Sequence, residues 1–312
     1  AWDLVVVDEA HALAESGTPQ NPYRTQRTRL GIALAERARG LILLTATPHN
    51  GYAHSFRSLI ELVEPTCAAF TGTAAEIGRR VEMARIRRMK AQIKRRLPDG
   101  SEQEVFPRRN VEGIPVKASD KESELLRKVG SYCSRTARSA EGAEDEDLVS
   151  FAMQIVKKRA LSSRRALERT LEHRLEALKK GEDDAQPAKS EIRDLQAELP
   201  LNEAAAERTA ERIVRSAIPK EQKRRKAEVA ALNGIRRLLK GLTGPDPKIQ
   251  VLATELQRLT AMRPPERVIV FTEYRDTLDV ILEAIETAPA LAGRAVVLRG
   301  GMSPRQRLAV QE

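Results

Sequence analysis

The sequence predicts an α/β protein in which two parallel-sheet lobes are joined by a charged helical insert. Two apolar, strand-like runs end abruptly in polar residues, LVVVDEAH at 4–11 and LILLTATPHNG at 41–51. Further along, residues 267–312 alternate strand-like and helical stretches in the order βαβα. This alternation is typical of a parallel sheet covered by helices on both faces. A long, aromatic-poor and highly charged stretch with helical periodicity separates the two regions.

Residues 1–116 are expected to supply the second half of the first lobe. The apolar run at 4–7 predicts a fully buried strand, and a polar loop follows it. Further elements are predicted as a helix at 25–38, a strand at 41–44, a helix with an apolar face at 56–63 and an extended crossover at 111–116.

Residues 117–245 are expected to form the helical insert, and 246–312 the first half of the second lobe. Leucines or other apolar residues recur at helical intervals in two places of the insert, namely Leu167, Leu171, Leu175 and Leu178, then Val229, Leu232, Ile235 and Leu239. Charged residues, including Arg174, lie between the leucines, and 141–147 and 181–187 predict loops. So narrow an apolar stripe should not fill a large core, so we expect a helical hairpin or small bundle. It is either a structural spacer or an arm for a protein partner.

The second lobe is predicted from the same periodicities. Its expected elements are a helix at 248–262, a strand at 268–271, a helix at 277–285, a strand at 295–298 and a helix from 303 onward.

The polar residues at the strand ends are the candidate chemical groups. Asp8 and Glu9 emerge where the first strand stops, and paired carboxylates there suit Mg²⁺ on a nucleotide and a base that positions water. The alternative is a helix cap with favourable dipole charge. The Thr-Ala-Thr-Pro string is likewise often only a strand-to-turn boundary, because Pro48 restricts Thr47 to extended geometry. Both strings together, each after a buried strand, favour the functional interpretation.

These strings resemble the motifs of superfamily-two helicases. VVVDEAH is similar to their Walker B motif (motif II) and LLTATP to their motif III. RVIVFTEYRDTLDVI at 267–281 resembles motif IV, and VVLRGGMSPRQR at 296–307 the element that follows it. TATPHNG together with FTEYRDTLD is most similar to prokaryotic Swi/Snf-type ATPases, such as RNA-polymerase-recycling ATPases and the helicases of DISARM phage-defence systems. The resemblance covers about residues 1–116 and 246–312, and implies two partial RecA-like lobes.

The resemblance also implies roles for individual residues. Asp8 would hold Mg²⁺, Glu9 would activate the attacking water and His11 would sense the γ-phosphate of ATP. Thr45, Ala46 and Thr47 would couple that site to nucleic acid. Backbone contacts to nucleic acid would come from the two lobe-two motifs, at Thr272, Tyr274, Arg299, Gly300, Gly301, Ser303 and Arg307. Phe271, at the end of a predicted strand, is expected to be buried rather than in contact with nucleic acid.

The charge distribution points to a polyanionic partner. The formal net charge is +10, and residues 79–96 carry nine basic side chains against Glu82 alone. Ile86, Met89, Ile93 and Leu97 recur there at helical spacing, which predicts an amphipathic helix. Its basic face could bind nucleic acid or could be a solvated face paired with acidic neighbours. The resemblance favours nucleic acid, more specifically double-stranded DNA, at Arg87, Arg88, Lys94 and Arg95.

Composition excludes several other classes. Two cysteines, Cys67 and Cys133, cannot form a disulfide framework or a four-cysteine zinc site. The four histidines lack metal-ligand spacing, and His49 and His54 are expected at turn and helix positions. No apolar stretch approaches the ~18 residues that a membrane span needs, and no signal peptide is visible, so a cytoplasmic protein is expected.

Two family motifs are missing from these 312 residues, the G-x-x-x-x-G-K-[ST] phosphate loop and the arginine motif of the second lobe. The chain is therefore interpreted as an internal piece of a longer enzyme, inactive by itself, whose parent uses ATP and Mg²⁺. Two other functions stay open: an RNA helicase or restriction-system translocase of the same superfamily, and a non-catalytic helical scaffold that binds nucleic acid.

Overall fold

The computed structural model describes residues 2–18, 20–48, 52–67, 74–181, 192, 195 and 203–311. The turn predicted at His49 and most of the loop predicted at 181–187 lie outside these residues. The chain divides into two compact units, Ala1–Ile114 (unit 1) and Pro115–Glu312 (unit 2). This division keeps the predicted insert and the second predicted lobe in one unit.

Unit 1 begins with a short parallel pair of strands. Its first elements are the strands β1 Val5–Val7, β2 Ser16–Thr18, β3 Asn21–Tyr23 and β4 Leu41–Leu43 and the helices α1 Gln26–Arg37 and α2 Ala53–Val63. β1 and β4 pair in parallel, with Val5 opposite Leu41 and Val7 opposite Leu43. The chain between them contains α1, so the two strands and the helix follow the predicted order. A small core of Leu13, Ala14 and Leu59 packs with Val7, Leu43 and Leu62.

The start of α1 shows why the sequence folds this way locally. The Thr25 hydroxyl accepts a hydrogen bond from the backbone N–H of Thr28 at 3.1 Å, and the Thr28 hydroxyl accepts one from Thr25 N–H at 3.3 Å. This reciprocal cap satisfies two backbone donors at the helix terminus. The predicted helix at 25–38 is confirmed.

The prediction that the first strand is buried on both faces is wrong. Leu4, Val6, Ile42 and Leu44 are 45–57% exposed, whereas the alternate side chains face the small core. Successive side chains of a strand point to opposite faces, and the helices of unit 1 cover one face of this pair.

The predicted amphipathic helix at 79–96 is also wrong. The third helix, α3, spans Ala74–Met83, and an antiparallel hairpin follows, formed by β5 Lys94–Arg96 and β6 Glu102–Glu104. Its turn contains Pro98, Asp99 and Gly100, with Gly100 at φ 85°, a left-handed conformation that suits glycine. This turn chemistry outweighs the helical spacing of Ile86, Met89 and Ile93, whose side chains are exposed.

In the described part of unit 2, helices of the predicted insert pack into a bundle. They are α4 Asp120–Ser139, α5 Glu146–Ser162, α6 Arg164–Lys180, α7 Glu203–Ser216 and α8 Gln222–Lys240. The predicted leucine stripe on α6 is buried, as are Leu232, Ile235 and Leu239 on α8. The expectation that this segment cannot fill a large core is wrong, because its apolar stripes converge on the larger of the two buried clusters described. Aliphatic side chains supply most of that core, and Tyr132 and Phe151 are its aromatic members.

Unit 2 also contains the helices α9 Pro247–Thr260, α10 Arg275–Thr287 and α11 Pro304–Gln311. The strands predicted at 268–271 and 295–298 do not form a sheet, and Phe271, expected to be buried, is 91% exposed. Two short strands without a third strand or a covering helix bury too little apolar surface to be stable. The described chain is therefore a mixed α/β protein, mostly helical, with few and short strands. Within the described residues, every helix is too short or too polar to cross a lipid bilayer.

Candidate functional site

Parallel pairing of β1 with β4 brings the two polar strings of unit 1 to the same edge. The backbone N–H of Leu44 donates to the carbonyl of Val7 at 2.8 Å, and that of Ala10 donates to the carbonyl of Leu44 at 2.9 Å. The ladder therefore continues past the end of both strands. As a result, the turn that carries Asp8 and Glu9 lies beside the segment that begins at Thr45.

His11 is the residue through which the two strings touch. Its Nδ1 atom lies 3.2 Å from the Thr45 hydroxyl oxygen and 3.1 Å from Oε2 of Glu9. The Thr45 hydroxyl also accepts a hydrogen bond from the backbone N–H of Thr47 at 3.1 Å. A continuous set of polar contacts thus connects Glu9, His11, Thr45 and Thr47.

Glu9 has an unusual backbone conformation. Its φ of 48° and ψ of 42° place it in the left-handed region, which is sparsely populated by residues other than glycine. Glu9 lies at the start of the short 3₁₀ helix Ala10–Leu13, and its carboxylate is exposed. Non-glycine residues in this region are enriched at functional sites, because the surrounding structure must hold them there.

Asp8 offers the oxygen that a divalent cation requires. Its Oδ1 atom accepts the N–H of Glu9 at 2.8 Å, and the side chain is exposed at the end of β1. Mg²⁺ on a nucleotide commonly takes one or two protein carboxylates, with water and phosphate oxygens as its other ligands, so Asp8 fits this ion. Among the described residues, no group of three or more His, Cys, Asp or Glu side chains is close enough to hold a metal by itself.

The predicted nucleic-acid residues of unit 2 occupy different environments. Tyr274 is only 8% exposed, and the guanidinium carbon of Arg159 lies 5.3 Å from its ring centre. Thr272 is half-buried. The Ser303 hydroxyl accepts the N–H of Gln306 at 3.2 Å, so it acts as the N-terminal cap of α11. The remaining members lie in or after the loop before α11, namely Arg299, Gly300, Gly301 and Arg307, with both arginines exposed.

The basic residues of unit 1 are exposed but do not share a helix face. Arg87 and Arg88 lie in the segment after α3, and Lys94 and Arg95 lie on β5. Lys94 donates to Oε2 of Glu102 at 2.9 Å, and this hydrogen bond raises the pKa of the lysine.

Sequence reasoning missed a cluster of charged residues around α10. Asp276 accepts a hydrogen bond from Arg169 at 2.8 Å, and Arg275 lies 2.9 Å from Glu207. These partners are 107 and 68 positions apart in the chain, so no local pattern could reveal them. Tyr274 belongs to the string that resembles motif IV, but its contacts to the bundle have no local signature in the sequence.

Comparison of the chain with protein-family models, with curated proteins and with solved structures finds no match.

Proposed function

We propose that this chain is part of an ATP-dependent nucleic-acid translocase of the Swi/Snf type that acts on double-stranded DNA. The observation that carries the proposal is the contact between the two strings, with His11 Nδ1 3.2 Å from the Thr45 hydroxyl. A motor of this kind requires such a link, because hydrolysis at one motif must be transmitted to the segment that senses nucleic acid. The motif resemblance supplies the chemistry, and the geometry agrees with it.

The roles follow from the chemistry of the side chains. Asp8 would hold the Mg²⁺ that accompanies ATP, and such an ion would supply charge neutralisation for the transferred phosphoryl group. Glu9 orients and deprotonates the attacking water, for which its exposed carboxylate is accessible. His11 senses the γ-phosphate side, and Thr45, Ala46 and Thr47 transmit the change.

The decisive test measures ATP turnover by the full-length protein that contains these residues, with and without duplex DNA. Glu9→Gln retains size and hydrogen bonding but removes the charge that activates water. Turnover should fall by roughly 10²–10⁴-fold, the range expected for loss of a general base. ATP binding, measured by equilibrium titration, should persist.

The matched control is Glu36→Gln, at an exposed position of α1. It makes the same chemical change in unit 1, away from the two strings, and should leave turnover unchanged. Wild-type turnover in the Glu9→Gln protein would contradict the role given to the first string.

A further inference from the structure

A polar cavity lies between the helical bundle and α10 in unit 2. Its volume is about 240 Å³. Six charged side chains line it, namely Arg169, Glu207, Arg208, Glu211, Arg275 and Asp276. They come from α6, α7 and the first turn of α10, so three separate helices define the cavity.

Two ion pairs account for four of these side chains. Arg169 contacts Asp276 at 2.8 Å, and Arg275 contacts Glu207 at 2.9 Å. Arg208 has no ion pair within the described residues, and its side chain is exposed to the cavity mouth. The cavity therefore retains a guanidinium group that is available to a ligand.

A fourth arginine lies near the cavity in the interior, although it is not among the lining side chains. Arg159 on α5 is 2% exposed, and its guanidinium lies over the ring of Tyr274, the residue directly before Arg275. Its Nη1 donates weakly to the Thr170 hydroxyl at 3.4 Å, whereas Nε and Nη2 have no hydrogen-bond partner in the described part of the chain. A buried cation without a hydrogen-bonded counter-ion is costly, so a nearby negative charge would be favourable.

The carboxylates of the cavity do not fully offset this charge. Burial raises the pKa of Glu207, although the charges of Arg275 and Arg159 act in the opposite direction and that of Glu211 adds to the rise. Three carboxylates thus face four guanidinium groups, counting Arg159. The balance around the cavity is positive.

We propose that this cavity binds a phosphate-type oxyanion, held by Arg208 together with Arg169 and Arg275, with the charge of Arg159 behind it. Guanidinium groups present parallel N–H donors that match the oxygens of a phosphate group. Glu207 and Glu211 limit the affinity, because their carboxylates repel an anion. The oxyanion is either free phosphate or a phosphodiester of nucleic acid, and only the second source depends on the proposed function.

The first arm of the test uses inorganic phosphate and the full 312-residue chain. Isothermal titration at constant ionic strength should show saturable binding with a Kd of about 1 mM or tighter. Arg208→Ala should weaken it at least about tenfold, equal to ~1.4 kcal/mol. Arg127→Ala, at an exposed position of α4 in the same unit, is the control and should bind as the wild type does.

Absence of saturable phosphate binding by the wild type overturns the proposal, and so does an equal loss in both variants, because either result means that the cavity is only a closed ion-pair network. Loss in Arg208→Ala alone supports it.

The second arm identifies the source of the oxyanion. A short DNA duplex is titrated with and without saturating phosphate, at constant ionic strength. If phosphate competes and Arg208→Ala weakens duplex binding, the cavity holds a nucleic-acid phosphate. If neither phosphate nor Arg208→Ala changes duplex binding, the cavity binds the free phosphate ion. If the chain binds no duplex at all, the proposed function fails while the phosphate arm still stands.

Discussion

Arg174 lies between the leucines of α6 in the sequence, and its side chain is fully enclosed in the helical bundle. Its Nε atom lies 2.6 Å from Oε1 of Glu228 and 2.7 Å from the Tyr132 hydroxyl. Its terminal nitrogens donate to the carbonyls of Val214 at 2.7 Å and Ala217 at 2.9 Å. Burial of Tyr132 raises the pKa of its phenol well above the ordinary value, so the neutral hydroxyl donates to Glu228. One side chain thereby connects α4, α6, α8 and the end of α7.

Replacing Arg174 tests how strongly the bundle depends on this network. Arg174→Met keeps an aliphatic side chain but leaves the buried Glu228 carboxylate without its counter-ion. We expect the free energy of unfolding to fall by about 3–5 kcal/mol, the usual cost of breaking a buried ion pair. Urea unfolding followed by circular dichroism measures this change.

The control is Arg258→Met, which removes the exposed Arg258–Glu255 pair on α9. Exposed ion pairs contribute little because water screens them, so its unfolding midpoint should stay close to that of the wild type. Similar shifts in the two variants would mean that Arg174 is no more important than a surface charge.

Helix α10 shows how one element is fixed by polar contacts. The Thr277 hydroxyl lies 2.7 Å from that of Ser162 and 2.9 Å from that of Ser163, at the corner between α5 and α6. Further along α10, the Glu283 carboxylate accepts two hydrogen bonds of 2.6 and 2.7 Å from Arg165 of α6. The first turn of α10 therefore faces the bundle, and this accounts for the burial of Tyr274 just before it.

Thr277→Val should loosen this contact. The variant keeps the shape of the side chain and leaves the two serine hydroxyls without their shared partner. The free energy of unfolding should therefore fall by about 1–3 kcal/mol. Hydrogen exchange should accelerate in α10. Thr287→Val makes the same change at an exposed position of that helix and serves as the control. Unchanged exchange in Thr277→Val would show that other contacts hold α10 in place.

Elements with local signals were predictable, and elements that depend on distant partners were not. The cap at Thr25, the stripe of Leu167 to Leu178 and the order of strands and helix in unit 1 all follow from residues within a few positions of each other. The β5–β6 hairpin had a local signal, the Pro98–Gly100 turn, but helical spacing competed with it. The contact of Thr277 with Ser162 spans 115 positions and has no local signature.

For the candidate site, the sequence predicted that each polar string follows a strand, and the parallel pairing of β1 with β4 then brings the two strings to one edge. It could not predict that His11 makes the contact, because its distance to Thr45 depends on the turn at Glu9.

At the scale of the whole molecule, exposed positive charge in unit 1 is concentrated after α3. Arg87, Arg88 and Arg95 have no ion pair within the described residues, whereas Lys94 is engaged by Glu102. Unpaired, exposed arginines are suited to phosphate backbones, whose neutralisation releases counter-ions and makes binding depend on salt.

Changing Arg87, Arg88, Lys94 and Arg95 to alanine should weaken duplex binding similarly for all sequences. Each neutralised phosphate contributes about 0.9 to the slope of log affinity against log salt, so the slope should flatten by up to roughly three to four. We expect the lower value, because Lys94 is already paired with Glu102. Fluorescence anisotropy at several salt concentrations measures the slope.

The control variant removes four exposed charges from α8 of unit 2. They are Lys223, Lys226, Arg237 and Lys240. Equal flattening in both variants would indicate a general effect of net charge and would contradict a local nucleic-acid surface after α3.

Under the proposed function, the left-handed backbone of Glu9 places stability and catalysis in opposition at one position. Glycine adopts φ near 48° without penalty, whereas a residue with a side chain gives up about 1–2 kcal/mol there. A search for thermostable variants would therefore favour glycine at position 9, and under the proposed function the most stabilised protein would be the one without its catalytic base. Engineering of this protein for robustness should leave that residue untouched.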